Sequence, residues 1–281
     1  MEGNPQYAWR KWWEGYDQRV GIDSSKESPL TIWSGCFSSW AEVLDAAMEI
    51  TRANVNATGF DSHRWLSRQR EMLVSARNGQ TPRHTNLPLF AAGWSPETII
   101  DFGGGSGWAY EILAGPTKCE LKKFIIIEQE AITQAFCNEF PTDEKVKFFS
   151  HANSLEAQAQ GLNVLFYTNS ALQYLPDNSF LLELLGRLQP KMILFDDFQT
   201  AAEAEFFCLQ HYYGDVIPCR LSCVEELELD LASLGYTLVG EWIYPKSFGG
   251  GLEPRVSAST GDLSCILEPR SLLFVRDLVP V

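Results

Sequence analysis

The chain has 281 residues, 45% hydrophobic and 12% aromatic, which is enough for a sizeable buried core and excludes intrinsic disorder and a small disulfide scaffold. Lysine and arginine total 22 against 36 acids, a formal charge of −14, and such a charge excludes strong nonspecific binding to nucleic acid or anionic membrane surfaces. Residues 1–95 carry 10 basic and 10 acidic side chains, so the whole excess lies from Pro96 onward; this predicts an N-terminal arm and helical cap over 1–95 and a second domain over 96–281.

Met1 to about Pro29 mixes Trp9, Trp12, Trp13 and Tyr16 with charges and reads as an arm packed onto the rest. Ser39 followed by Glu42 is a capping-box signature, and Trp40, Val43, Leu44, Ala47 and Ile50 recur at helical spacing, predicting a helix over Ser39–Ala53. A second helix begins near Asp61 or Ser62, with Trp65, Leu66, Gln69, Met72, Leu73 and Ala76 along one side and Arg64, Arg68, Arg70 and Arg77 on the rest. The first ~90 residues are therefore predicted to be helical. After Pro96, short β-branched runs alternate with helical stretches, the pattern of βαβ units around a parallel sheet. Candidate strands are Thr98–Phe102, Lys123–Glu128, Lys145–Ser150, Asn163–Asn169, Lys191–Asp197, Thr237–Trp242 and Ser271–Arg276. Thr200–Leu209 reads as a helix that Asp197 would cap, and Pro245–Pro269 as a long hairpin excursion.

The sharpest local signal is Ile99-Ile100-Asp101-Phe102-Gly103-Gly104-Gly105-Ser106-Gly107-Trp108, an apolar strand running through a glycine cluster into a helix. Glycines let the backbone approach a ligand, and the helix start offers unpaired N–H groups, so a nucleotide-like ligand is expected. The dinucleotide pattern G-x-G-x-x-G fails, because Trp108 or Tyr110 falls where a small residue is needed, or Ser106 where a glycine is. Asp101, Gly103, Gly105 and Gly107 instead spell D-x-G-x-G-x-G, which resembles motif I of the class I S-adenosylmethionine-dependent methyltransferases. Glu128, which ends the next strand 21 residues after Gly107, stands where a carboxylate accepts ribose hydroxyls.

Gly35-Cys36-Phe37-Ser38-Ser39-Trp40, Gly59-Phe60-Asp61 and Ser170-Ala171-Leu172-Gln173-Tyr174-Leu175-Pro176-Asp177 resemble segments of one methyltransferase-like family of unassigned substrate. The likeness spans roughly Ile32 to Trp242 and departs at Asp196-Asp197-Phe198, where the relatives tend to have Asp then Arg. The resemblance implies an α/β, Rossmann-like seven-stranded sheet, mostly parallel with the last strand antiparallel, under an N-terminal helical cap. It implies S-adenosylmethionine as cofactor, bound by Asp101, Gly103, Gly104, Gly105, Gly107, Glu128, Gln129 and Asn169, and a small-molecule acceptor, with oxygen the favoured atom. The rival reading is a cofactor-binding protein of this type without methyl transfer.

Methyl transfer is an in-line displacement, so alignment dominates and a base is needed only for an acceptor proton of high pKa. Asp197, Tyr174 and His211 are the catalytic candidates, with Asp196 and His151 behind them. Asp196 and Asp197 alternate faces, so at most one enters the cleft; the plainer roles are a helix cap for Asp197, packing for Tyr174 and a cofactor-edge position for His151. The arginine-rich second helix, with Arg83 beyond it, suits an anionic substrate, and Phe248-Gly249-Gly250-Gly251-Leu252 reads as a lid or a plain hairpin tip. No metal is expected: Cys208-x2-His211-x7-Cys219-x3-Cys223 matches no common zinc spacing. Seven scattered cysteines predict free buried thiols. The absence of a leader pattern or long apolar run predicts a soluble, cytoplasmic protein, and the N-terminal tryptophans with Trp33 are compatible with a homodimer seam.

Overall fold

The computed structural model describes residues 33–51, 63–150, 163–201, 204–212, 215–244, 255–256, 265–266 and 269–276. The predicted arm, Gly59-Phe60-Asp61, His151 and the Phe248–Leu252 stretch lie outside them.

All seven predicted strands form one sheet, their ends within a residue of expectation. They are β2 (Thr98–Phe102), β3 (Lys123–Ile127), β4 (Val146–Phe149), β5 (Val164–Asn169), β6 (Met192–Phe198), β9 (Tyr236–Ile243) and β12 (Arg270–Arg276), in the order β4-β3-β2-β5-β6-β12-β9. The first five are parallel, and β12 runs antiparallel between β6 and β9. β2 and β5 are buried along their whole length, as their predominantly apolar runs lead one to expect of central parallel strands. Helices α3 (Leu87–Trp94), α4 (Trp108–Glu111) and α5 (Gly115–Glu120) follow in the chain around β2, with α6 (Glu130–Phe136) after β3, α7 (Ser179–Leu188) after β5 and α8 (Val224–Ser233) before β9. One face of the sheet packs Ile100, Phe166, Phe195 and Phe274 against leucines of α7 and α8. The other packs Ile99, Phe124, Leu165 and Leu194 with Met72, Ala91 and Trp108.

The chain passes from β2 outward to β3 and β4, then returns to the other side of β2 as β5 and β6. The strand order therefore reverses between β2 and β5, and ligands of open α/β sheets bind beyond the strand ends at such a point.

The N-terminal region departs from the all-helical expectation. Helices α1 (Trp40–Thr51) and α2 (His63–Arg77) are present, but Trp33–Phe37 is a strand, β1. It pairs antiparallel with β7 (Phe206–Tyr212), which forms a hairpin with β8 (Asp215–Leu221). The predicted Thr200–Leu209 helix is therefore corrected to strand, and Asp197 caps nothing there. Phe206 and Cys208 face one apolar cluster while Leu209 faces another under α1, an alternation that only a strand covered on both sides can satisfy. Cys208 and Cys219 are cross-strand partners and buried; Cys36, Cys119 and Cys137 are exposed free thiols, contrary to the burial expected. β10 (Arg255–Val256) and β11 (Cys265–Ile266) pair antiparallel within the predicted hairpin excursion. Among the described residues no helix is long and apolar enough to cross a membrane.

Candidate functional site

A cavity of about 270 Å³ opens at the β2/β5 reversal. Its floor is Asp101 to Gly105, leaving β2; one wall is Glu128 and Gln129 after β3 and the other Asn169 to Ala171 after β5, with Tyr174 beyond. Trp65, Gln69 and Met72 of α2 cover it, and Arg83 joins from the loop after α2. Positions 65, 69 and 72 share one face of a helix.

The glycine loop is held by its own protein. Gly103 N–H donates to Ile127 O (2.9 Å) and Gly107 N–H to Gly104 O (3.0 Å). Gly105 N–H donates to Glu128 Oε1 (3.1 Å) and Ser106 N–H to Gln69 Oε1 (3.1 Å). These four loop donors are spent internally. Gly105 has φ +56°, a conformation that favours glycine, and a Cβ there would collide with the Gln69 amide. Gly107 caps α4 and stands behind the cavity wall rather than in it.

What the site offers instead is acceptors. Asp101 is 2% exposed, and its Oδ2 has no hydrogen-bond partner. Burial, reinforced by the charge of Glu128, holds its pKa well above the ordinary carboxylate value. Burial likewise raises Glu128 to about 7, although N–H groups of Gln129 (2.8 Å) and Gly105 pull the other way. Asn169 is 8% exposed; its Nδ2 donates to His84 O (3.1 Å), which turns Oδ1 away without a partner. A cationic ligand carrying hydroxyl or amino donors answers this set, because it would satisfy the orphaned oxygens and favour the ionised carboxylates. A diphosphate would meet two carboxyl groups, and four of the loop N–H groups are already spent.

The catalytic candidates are not brought together. Tyr174 lines the cavity, but its hydroxyl donates to Gln210 Oε1 of β7 (2.7 Å), which ties it to the cap sheet. Asp197 lies behind the wall, 4% exposed with φ +50°. Burial raises its pKa to about 6 against the opposing influence of Arg83, Ser170 and Gln199, whose Nε2 donates to Oδ1 at 2.7 Å. His211 lies on β7, and its side chain falls outside the described part of the structure. Asp196 faces a different task, accepting from Asn86 N–H (2.7 Å), Asn86 Nδ2 (2.7 Å), Thr85 Oγ1 (3.0 Å) and Ser271 Oγ (2.8 Å). Of the arginines, Arg77 is ion-paired with Glu111 (3.0 Å) and Glu139 (3.1 Å), whereas Arg83 reaches the cavity. Gln69 was not singled out from the sequence; a glutamine on the apolar stripe of α2 was the available signal. Among the described residues no group of three or more His, Cys, Asp or Glu is placed to hold a metal ion.

No protein-family model matches the chain, and no curated protein matches it. Among solved structures it is similar to human N-acetylserotonin methyltransferase in complex with SAM, at 13% identity and TM-score 0.48, over 84% of this chain and 65% of that one. It is also similar to Burkholderia thailandensis 1,6-didemethyltoxoflavin-N1-methyltransferase with bound 1,6-didemethyltoxoflavin and S-adenosylhomocysteine, at 14% identity and TM-score 0.46, over 91% and 97%. A third is the CcbJ methyltransferase of Streptomyces caelestis, at 11% identity and TM-score 0.43, over 72% and 89%. The chain thus spans about two thirds of the human enzyme's length.

Proposed function

We propose that this chain is an S-adenosylmethionine-dependent methyltransferase acting on a small-molecule acceptor, with oxygen the favoured atom. The observation that carries the reading is the pair Asp101 and Glu128, one buried and one half-buried carboxyl group with raised pKa at the strand-order reversal, the first with an orphaned oxygen. S-adenosylmethionine is a nucleoside with net positive charge, and when bound it supplies an electrophilic methyl group on a sulfonium.

Glu128 and Gln129 would hold the ribose edge, with Asp101 and the 103–105 backbone at the amino-acid end. Asn169, its amide fixed by His84 O, would accept a hydrogen bond from the incoming acceptor's own O–H or N–H. Asp197, behind the wall and with its pKa raised by burial to about 6, is the candidate to take that proton. Tyr174 would shape the channel rather than act as base, since burial of its hydroxyl bond to Gln210 holds it in place. Arg83 suits an anionic group on the acceptor.

Calorimetric titration tests the assignment. Low-micromolar binding of S-adenosylmethionine and S-adenosylhomocysteine without binding of NAD is the expected result; a folded protein that binds neither sulfur nucleoside refutes it. The position of Asp197 behind the cavity wall also supports the rival, a cofactor-binding protein without turnover. Transfer of labelled methyl to any member of an acceptor panel decides against that rival.

A further inference from the structure

The amino-acid tail of such a ligand carries one anionic group, and the surroundings of the glycine loop leave few donors for it. The Gly103, Gly105, Ser106 and Gly107 N–H groups are spent on Ile127, Glu128, Gln69 and Gly104. Asp101 and Glu128, the acids beside the loop, are acceptors once ionised. Arg83 acts at the other end of the cavity, where its charge is felt by Asp197 and Tyr244.

Gln69 brings a side-chain amide to the wall beside the loop. It is 4% exposed, and Ser106 N–H fixes its amide by donating to Oε1 at 3.1 Å. With the oxygen committed and the amide laid across Gly105, the Nε2 hydrogens are left for the cavity. The C-terminal end of α2 is bolted to the core through Arg77, paired with Glu111 and Glu139 and lying over the Phe140 ring. The cap helix therefore presents this amide from a fixed support.

We infer that Gln69 binds the ligand's α-carboxylate through its side-chain N–H, so that a residue of the cap completes the cofactor site. The inference rests on the methyltransferase reading. It also gives Gly105 a reason beyond backbone conformation: a side chain there would displace the Gln69 amide.

S-adenosylhomocysteine and 5′-methylthioadenosine, which lacks the amino-acid tail, separate the outcomes in calorimetric titration of the full chain. Gln69→Ala is expected to weaken S-adenosylhomocysteine at least tenfold and to leave methylthioadenosine within about twofold. Equal losses for both ligands would reduce Gln69 to a support for the loop and overturn the inference, and tightening of both would make it a plug and overturn it too. Gln69→Glu keeps the volume and the bond to Ser106 N–H, so it guards against a folding defect in the alanine variant. It is expected to lose S-adenosylhomocysteine selectively, whereas retained or improved binding would assign the residue to the ammonium group instead. A wild-type protein that binds neither compound removes the cofactor reading itself, a result distinct from all of these.

Discussion

Glu128 shows how one half-buried carboxyl links ligand binding to pH. Its folded pKa of about 7 lies above the ordinary 4.5, so the unfolded chain releases this proton first as pH rises. Native stability should fall between about pH 4.5 and 7, by up to about 3 kcal/mol from this group, and stay level above that range. Glu128→Gln removes the effect, and denaturation of both proteins across that range, without ligand, measures it as a difference. A ligand that prefers the ionised form should bind more tightly as pH rises through 7 and then level off. The Gln variant should bind more weakly by about 1–3 kcal/mol, without that rise; a parallel pH profile in both proteins would remove Glu128 from the site. Asp101, the glycines and Glu128 were legible because strand, loop and acid follow one another along the chain. Gln69 was not, since its role depends on where α2 crosses a loop some 35 residues away, and Arg83 stood out only as one of a run of basic residues.

At the level of elements, the segment from Arg83 to Asn86 links the cap to the sheet, and Asp196 fastens it. This side chain at the end of β6 gathers donors from Thr85, Asn86 and Ser271, the last on β12. Asp196→Ala would leave several buried donors unpaired and should cost about 3 kcal/mol or more, read as a shift in the denaturation midpoint. An unchanged midpoint would mean that the linker is held elsewhere. The pair Asp196-Asp197 was read from sequence as one cleft-facing group at most, and neither side chain lines the cavity. The misread element is β7. Ala201-Ala202-Glu203-Ala204-Glu205 favours helix by composition, but Phe206, Cys208 and Leu209 alternate between two apolar clusters supplied by α1 and α6. Only the partners reveal that, and those partners come from distant parts of the chain.

For the whole molecule, the central sheet was readable because buried parallel strands announce themselves as predominantly apolar, β-branched and aromatic runs, such as Thr98–Phe102 and Val164–Asn169. The cap sheet was not, because β1 is five residues long, carries Gly35 at φ +74° and finds its partner far along the chain. The −14 charge has a kinetic consequence for a cationic ligand: association should slow several-fold as ionic strength rises from about 0.02 M to 0.5 M. Stopped-flow fluorescence with S-adenosylmethionine would register it, and a salt-independent rate would show that the acidic surface does not steer this ligand.

The pairing of Ser34 with Leu209 also sets the timetable of synthesis. β1 and α1 leave the ribosome before the strand that receives them, which is made about 175 residues later, roughly 10 to 35 seconds at ordinary translation speeds. Through that interval the nascent chain carries an unpaired strand edge and the apolar side of a helix. The Rossmann-like half can begin to assemble in the meantime, so β1, made before the central sheet, is among the last elements to find its place.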